Sequence, residues 1–380
     1  MRPAGKDLRK APPAAYTSYI VFTAFALFLL FFKFRFHELW KDEWQAWFIA
    51  TDHASLSDLF SSLPYEGHPS LWFLLLRGGN GLATLVFPSV PREHVLQLIH
   101  FLAAAGALYI YLVKFEGRLW IRALLAGGYF TFFEYGVVNR GYILVVFLCY
   151  AMSYTVKNYK TAGRFAGLLL FLLCQTEVYG IFAAAGFYAF LLVDHRRDTK
   201  FHYLVSAPFI VGMLLFAATV WPNSDTQMQT ATLQQFELFN AERYALSFQS
   251  LFCDTLWSGL LAIDKNEADA FKLLLSLVIL VTLILLFRQD RRVLIAYLAF
   301  LLADLLFSSV VYSGGPRQWG IHLVYIIALL NLVPLEKEAR LKKLGYAFII
   351  VTGLFQLSYN FRILYKDMRY PFSNSLSAGR

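Results

Sequence analysis

The sequence predicts an all-α integral membrane protein, and three observations predict it. Hydrophobic residues fill 58% of the 380 positions and aromatic residues 18%, with a mean hydropathy of +0.52. Apolar runs recur that are long enough to cross about 30 Å of hydrocarbon. Short clusters of Lys and Arg fall between those runs, as positive-inside loops do. A net charge of +9 would point a soluble protein toward nucleic acid, but with this distribution it reports loop orientation, and no nucleic-acid partner is expected.

The chain opens with Arg2, Lys6, Arg9 and Lys10, followed by YTSYIVFTAFALFLLFF. That run is too long for the apolar part of a signal peptide and no small-residue cleavage site follows it, so it predicts the first membrane helix. Segment 37–68, HELWKDEWQAWFIATDHASLSDLFSSLPYEGH, is polar and aromatic and reads as the first outer loop. In it Ser55 or Ser57 caps a short helix, and Pro64 ends it. The next stretch, HPSLWFLLLRGGNGLATLVF at 68–87, is apolar but interrupted by Arg77 and by Gly78, Gly79 and Gly81, which suits a helix lying in the interface.

Membrane helices then follow to residue 221. They are separated alternately by basic clusters (Lys114/Arg118, Lys157/Lys160/Arg164, Arg196/Arg197/Lys200) and by the short polar segments VVNRGY at 137–142 and QTEVYG at 175–180. A long outer loop spans 222–268, with a second interfacial helix near 244–263, where Gln249, Asp254 and Asp264 argue against crossing. C-terminal membrane helices occupy 269–361, broken by Arg288/Arg291/Arg292, by YSGGPRQWG at 312–320 and by Lys337/Arg340/Lys342/Lys343; an outer tail covers 362–380. Every basic cluster is cytoplasmic only if both interfacial stretches stay out of the membrane. About eleven helices then cross by the length criterion, with the N-terminus cytoplasmic and the C-terminus outside. Cys149, Cys174 and Cys253 are odd in number and share no metal spacing, so neither a disulfide framework nor a zinc site is expected.

The chemistry gathers in the outer segments. WKDEWQAWFI at 40–49 places Asp42 and Glu43 beside tryptophans at the mouth of the first helix, where a carboxylate can serve as general base. Glu66 and His68 close the same loop and, with Asp42 and Glu43, are candidate ligands for a divalent cation. Glu134 and Arg140 approach the outer ends of two consecutive helices in FFEYGVVNRGYILVV, Glu177 and Tyr179 sit in CQTEVYGIF, and Arg317 and His322 follow the glycines and proline of YSGGPRQWGIH. A flanking arginine commonly snorkels. Arg140 and Arg317, however, lie on the predicted outer face, against the charge bias, which calls for an anionic partner. Aromatic Tyr142 and Trp319 follow them closely. No phosphate loop, dinucleotide glycine pattern, nucleophile elbow or zinc-protease helix is present in the sequence.

With DE at 42–43, EGHPSLWFLLL at 66–76, EYGVVNRGYIL at 134–144 and GGPRQWG at 314–320, in that order, the chain resembles the GT-C superfamily of membrane glycosyltransferases over nearly its whole length. That superfamily includes protein O-mannosyltransferases and the lipid A aminoarabinose transferase. More narrowly, the chain resembles a group of mostly uncharacterised bacterial membrane proteins. The resemblance implies a GT-C arrangement in residues 1–221 with its catalytic loop at 37–68. It implies transfer of a sugar from a polyprenyl-phosphate carrier to a glycan, lipid or protein acceptor on the extracytoplasmic face, with inversion. The enzyme would sit in the plasma membrane, or in the endoplasmic reticulum if the source is eukaryotic. The family's catalytic acid maps onto Asp42 with Glu43 beside it; its HPP element maps onto His68 and Pro69, with Ser70 in place of the second proline. Its phosphate-binding basic residues map onto Arg140 and Arg317. Glu66, His68, Tyr142, Glu177, Tyr179 and His322 complete the expected substrate and carrier-phosphate site. The narrower group continues beyond a PFSN-like segment, which implies a further outer C-terminal piece. The competing expectation is a multi-pass transporter or lipid flippase, which would line a path at mid-membrane depth and often carry an internal repeat.

Overall fold

The structure, a computed structural model, describes residues 13–221, 240–257, 269–333 and 339–370. Among the described residues every regular element is helical. The helices are α1 (Pro13–Arg35), α2 (Lys41–Asp52), α3 (Leu56–Glu66), α4 (Leu71–Val86), α5 (Arg92–Lys114), α6 (Leu119–Ala126) and α7 (Tyr142–Lys157). They continue with α8 (Ala166–Cys174), α9 (Val178–His195), α10 (Thr199–Val220), α11 (Ala241–Gln249), α12 (Ala270–Phe287), α13 (Arg291–Val310), α14 (Pro316–Leu330) and α15 (Ala339–Arg369). Among the described residues seven helices (α1, α5, α9, α10, α12, α13 and α15) are long and apolar enough to cross a membrane. Their outward faces stay apolar, with Leu27, Leu214, Leu274 and Leu302 exposed. Water would penalise such faces and hydrocarbon would not, so the chain is built as an all-helical membrane protein.

Polar contacts sort the helix ends into two groups. At one end Lys157 pairs with Glu116 at 2.8 Å, Arg292 pairs with Asp194 at 2.7 Å, and the Arg118 guanidinium lies over the Tyr346 ring. These are the ends that carry the basic clusters. At the other end α1 runs into α2, and the end of α15 meets the α1–α2 connection through His37 and Asp367.

Helices α2, α3 and α4 all remain at this second end. Leu71 at the start of α4 donates its N–H to Gln175 O. Arg77 donates to the carbonyls of Ala50, His53 and Ala54, capping the C-terminus of α2. Helix α5 then begins beside the end of α1, where Gln97 donates to Lys33 O. The 68–87 stretch therefore leaves from and returns to one end, and Arg77 is a helix cap, a role its sequence context did not disclose.

Three expectations are corrected. Pro64 does not end α3. Ser55 caps the helix, accepting from Asp58 N at 3.1 Å, and the helix passes Pro64 to end at Gly67, whose φ of 67° is a left-handed conformation that favours glycine. The described part of the 222–268 loop is not a wet interfacial helix. Helix α11 and the wider turns after it bury Leu251, Phe252 and Leu256, and Gln356 of α15 donates to Thr255 O. Asp254, which argued for exposure, pairs with buried Lys272 at 3.1 Å. Finally, α15 extends to Arg369, so the expected tail from 362 is helical to that point; Asp264, Lys337 and positions 371–380 lie outside the described residues.

Candidate active site

A cavity of about 280 Å³ opens at the second end, lined among others by Asp42, Gln45, Glu66, His68, Trp72 and Arg140. Its walls come from α2, α3, α4, the connection before α7 and the start of α9. The connection is set by a stretch of wide, π-type helix at Tyr129–Val137, whose last carbonyls, Gly136 and Val137, accept from buried Lys33 at 3.2 and 2.6 Å. Such a segment changes the direction of the chain without breaking it, and Asn139 and Arg140 emerge facing α2.

Glu43 is the anchor of this arrangement. Its carboxylate is buried and accepts from Trp40 N at 2.6 Å, from Asn139 N at 2.6 Å and from Asn139 Nδ2 at 2.7 Å. His37 Nε2 lies 3.2 Å from the same group, while His37 Nδ1 lies 3.2 Å from Asp367. Burial alone would raise the Glu43 carboxyl, but the His37 charge and these hydrogen bonds outweigh it and hold the group at about 2. Burial likewise opposes the charge on His37, yet the two carboxylates push it up to about 9. With four donors around it and no share of the cavity wall, Glu43 positions the loops; it is not placed to exchange protons with a substrate.

Asp42 occupies the cavity side of the same turn. Its Oδ2 lies 2.5 Å from Arg140 Nη1 and 3.4 Å from Arg317 Nη1, so the expected base and the expected phosphate clamp are in contact. Burial would raise Asp42, but the two guanidiniums hold it below the ordinary range. Arg317 also lies over the Trp40 ring at 5.3 Å and 3.7 Å from Glu134. Arg317 is thus oriented on several sides, and both arginines converge on one anionic oxygen.

On the opposite wall His68 Nδ1 lies 2.8 Å from Glu177 Oε2, and Gln45 Nε2 donates to Glu66 at 3.0 Å. Gly141 permits this packing, since a Cβ there would come within 3.2 Å of Trp72 and Glu177. The remaining expected site residues lie outside the cavity wall, as does Arg317, which reaches that wall only at Asp42. Tyr142 is buried and its hydroxyl accepts from Gln318; Tyr179 is buried behind Gly314. His322 sits in the core, its Nδ1 3.0 Å from Leu251 O and its ring stacked on Tyr297.

The candidate cation ligands do not converge. Glu43 is turned inward, and among the described residues no three metal-ligating side chains form a group that could hold a metal ion. Sequence reasoning missed Lys33, His37, Asn139 and Asp367. Only Lys33 carried a signal, as a cation inside the first apolar run. The chain matches no protein-family model, no curated protein and no solved structure.

Proposed function

We propose that the cavity is the active site of a GT-C type glycosyltransferase that moves a sugar from a polyprenyl-phosphate carrier to an acceptor hydroxyl. The observation that carries this reading is the convergence of Arg140 and Arg317 on a single carboxylate oxygen at a cavity of about 280 Å³. A guanidinium grips phosphate through parallel hydrogen bonds, and the Asp42 carboxylate stands where a phosphate oxygen would bind. The rest of the wall suits a sugar. Gln45, Glu66 and Glu177 offer acceptors and donors to hydroxyls. About eleven helical stretches would be the membrane crossings, with the carrier's lipid chain in the surrounding hydrocarbon and the cavity on the extracytoplasmic side.

The test is turnover of the full chain against polyprenyl-phosphate-sugar concentration for Arg140→Lys, Arg140→Ala, Arg317→Lys and Arg317→Ala. Lysine keeps the charge without the fork, so each Lys variant should need more donor than the parent, and each Ala variant more still. Parent-like behaviour in all four would remove the phosphate site from these arginines. One observation favours transport instead. Asp304 is buried within α13, where it accepts from Ser308 at 3.2 Å, and an ionisable group inside a membrane helix commonly marks a conducted ion. Carrier flipping or ion uptake that Asp304→Asn abolishes, without any glycosyl transfer by the parent, would establish that reading.

A further inference from the structure

This inference rests on the transferase reading and concerns where the acceptor's proton goes. Of the four acid or imidazole side chains on the cavity, Glu66 accepts from Gln45 and Glu177 is engaged by His68; Asp42 and His68 are the candidates to take it, and they are in opposite states. Asp42 is held by two guanidiniums, which stabilise its charge and weaken it as a base for as long as they remain. His68 enters from the turn after α3 with its Nδ1 against Glu177, whose side chain is only 8% exposed and therefore fixed, while 33% of the His68 side chain remains open. A carboxylate on Nδ1 holds that proton, fixes the tautomer and leaves the Nε2 lone pair available.

The geometry points to His68, oriented by Glu177, as the catalytic base that takes the acceptor proton, with Asp42 as the resting counter-ion of Arg140 and Arg317. The acceptor oxygen forms its bond to the anomeric carbon as the bond from that carbon to the phosphate oxygen breaks. The electron pair leaves with polyprenyl phosphate, held by the arginines that exchange Asp42 for it. The hydroxyl proton passes to His68 Nε2 and from there to water at the cavity mouth. Atoms and charge balance without a further reactant.

The groups facing His68 are Glu177 from the start of α9, Glu66 from the end of α3 and Arg140 from the connection before α7, with Asp42 of α2 on the same cavity. Glu177 raises the imidazole above its ordinary value, against burial and the Arg140 charge. The base must be neutral to act, so kcat/KM should rise with pH along a limb above the ordinary histidine value of about 6.5. Glu177→Gln removes the charge that raises His68, so the limb should move to lower pH and its plateau should fall. His68→Ala should lose on the order of a hundred- to ten-thousand-fold in rate, as general-base removal does, and added imidazole should restore part of it.

The experiment uses the full chain in lipid, with a panel of polyprenyl-phosphate hexoses and pentoses as donors and octyl glycosides as acceptors. Released polyprenyl phosphate is followed between pH 4 and 10. No turnover by the parent chain sinks the transferase reading and this inference with it. Turnover that survives in His68→Ala sinks the inference alone. So does a parent limb in the carboxylate range, or a Glu177→Gln limb that does not move; the latter decides the matter even where His68→Ala fails to fold.

Discussion

Neighbouring acids Asp42 and Glu43 carry the same charge and have different work, and burial separates them. Glu43 faces the interior, where an unpaired carboxylate would be costly, and each of its oxygens is supplied with donors. Asp42, with a side chain 45% exposed, meets only the two arginines in the described contacts. The Glu43–His37 pair gives a pH prediction. Glu43 is depressed to about 2, so its contribution is present above the ordinary glutamate range and lost as pH falls through 2. His37 is raised to about 9, so its contribution is complete below the ordinary histidine range and lost as pH rises through 9. The thermal midpoint in detergent should therefore fall between pH 6.5 and 9.5. Glu43→Gln should lower it at pH 6.5, since breaking a buried pair costs about 3–5 kcal/mol, and should also shrink the alkaline fall. An alkaline fall of equal size in Glu43→Gln would show that the pair does not cause it. The sequence placed both acids beside tryptophans but could not tell them apart. Their difference depends on Asn139 and Asp367, which are remote in the chain and carry no local pattern.

At the scale of elements, the outer loop was legible where local chemistry decides and obscure where partners do. The Ser55 cap follows from residue type, so the start of α3 could be read from the chain. Pro64 could not be read as a stop, because a proline near a helix C-terminus removes one hydrogen bond and the helix tolerates that when its other residues are packed; Leu59 and Leu63 are fully buried. Arg77 looked like an interruption of an apolar run and is instead the cap that fastens α4 to α2. Its guanidinium meets three carbonyls at the negative end of the α2 dipole. Arg77→Gln should therefore lower the thermal midpoint, since hydrogen bonds to a charged group contribute about 1.5–3 kcal/mol each in protected surroundings and less where water reaches them. Arg77→Lys should recover only part of that, because a single ammonium cannot span all three carbonyls. Equal stability of the parent and Arg77→Gln would leave Arg77 as an interfacial charge.

For the whole molecule, alternation of basic and acidic-aromatic connections along the chain becomes separation in space. Connections with Lys114, Arg118, Lys157, Arg196 and Arg292 gather at one end, and those with Asp42, His68, Arg140, Glu177 and Arg317 gather at the other. That sorting was legible because the charge bias of loops is a property of composition, whereas the packing of α11 between α12 and α13 depends on surfaces no single segment displays. It requires α2, α3 and α4 to stay together at one end, and their contacts with α5, α10 and the start of α9 hold them there. Sidedness is then directly measurable, since the three natural cysteines are buried and contribute little background to thiol labelling. Single cysteines at the exposed positions Ser57 and Tyr312 should react with an impermeant maleimide from the extracytoplasmic side. Those at Glu116 and Arg197, also exposed, should react only from the cytoplasm. Were Ser57 and Tyr312 to label from opposite sides, Asp42 of α2 and Arg317 of α14 could not meet at one membrane surface. Were all four sites inverted, the cavity would face the cytoplasm, and the donor would have to be drawn from the inner leaflet.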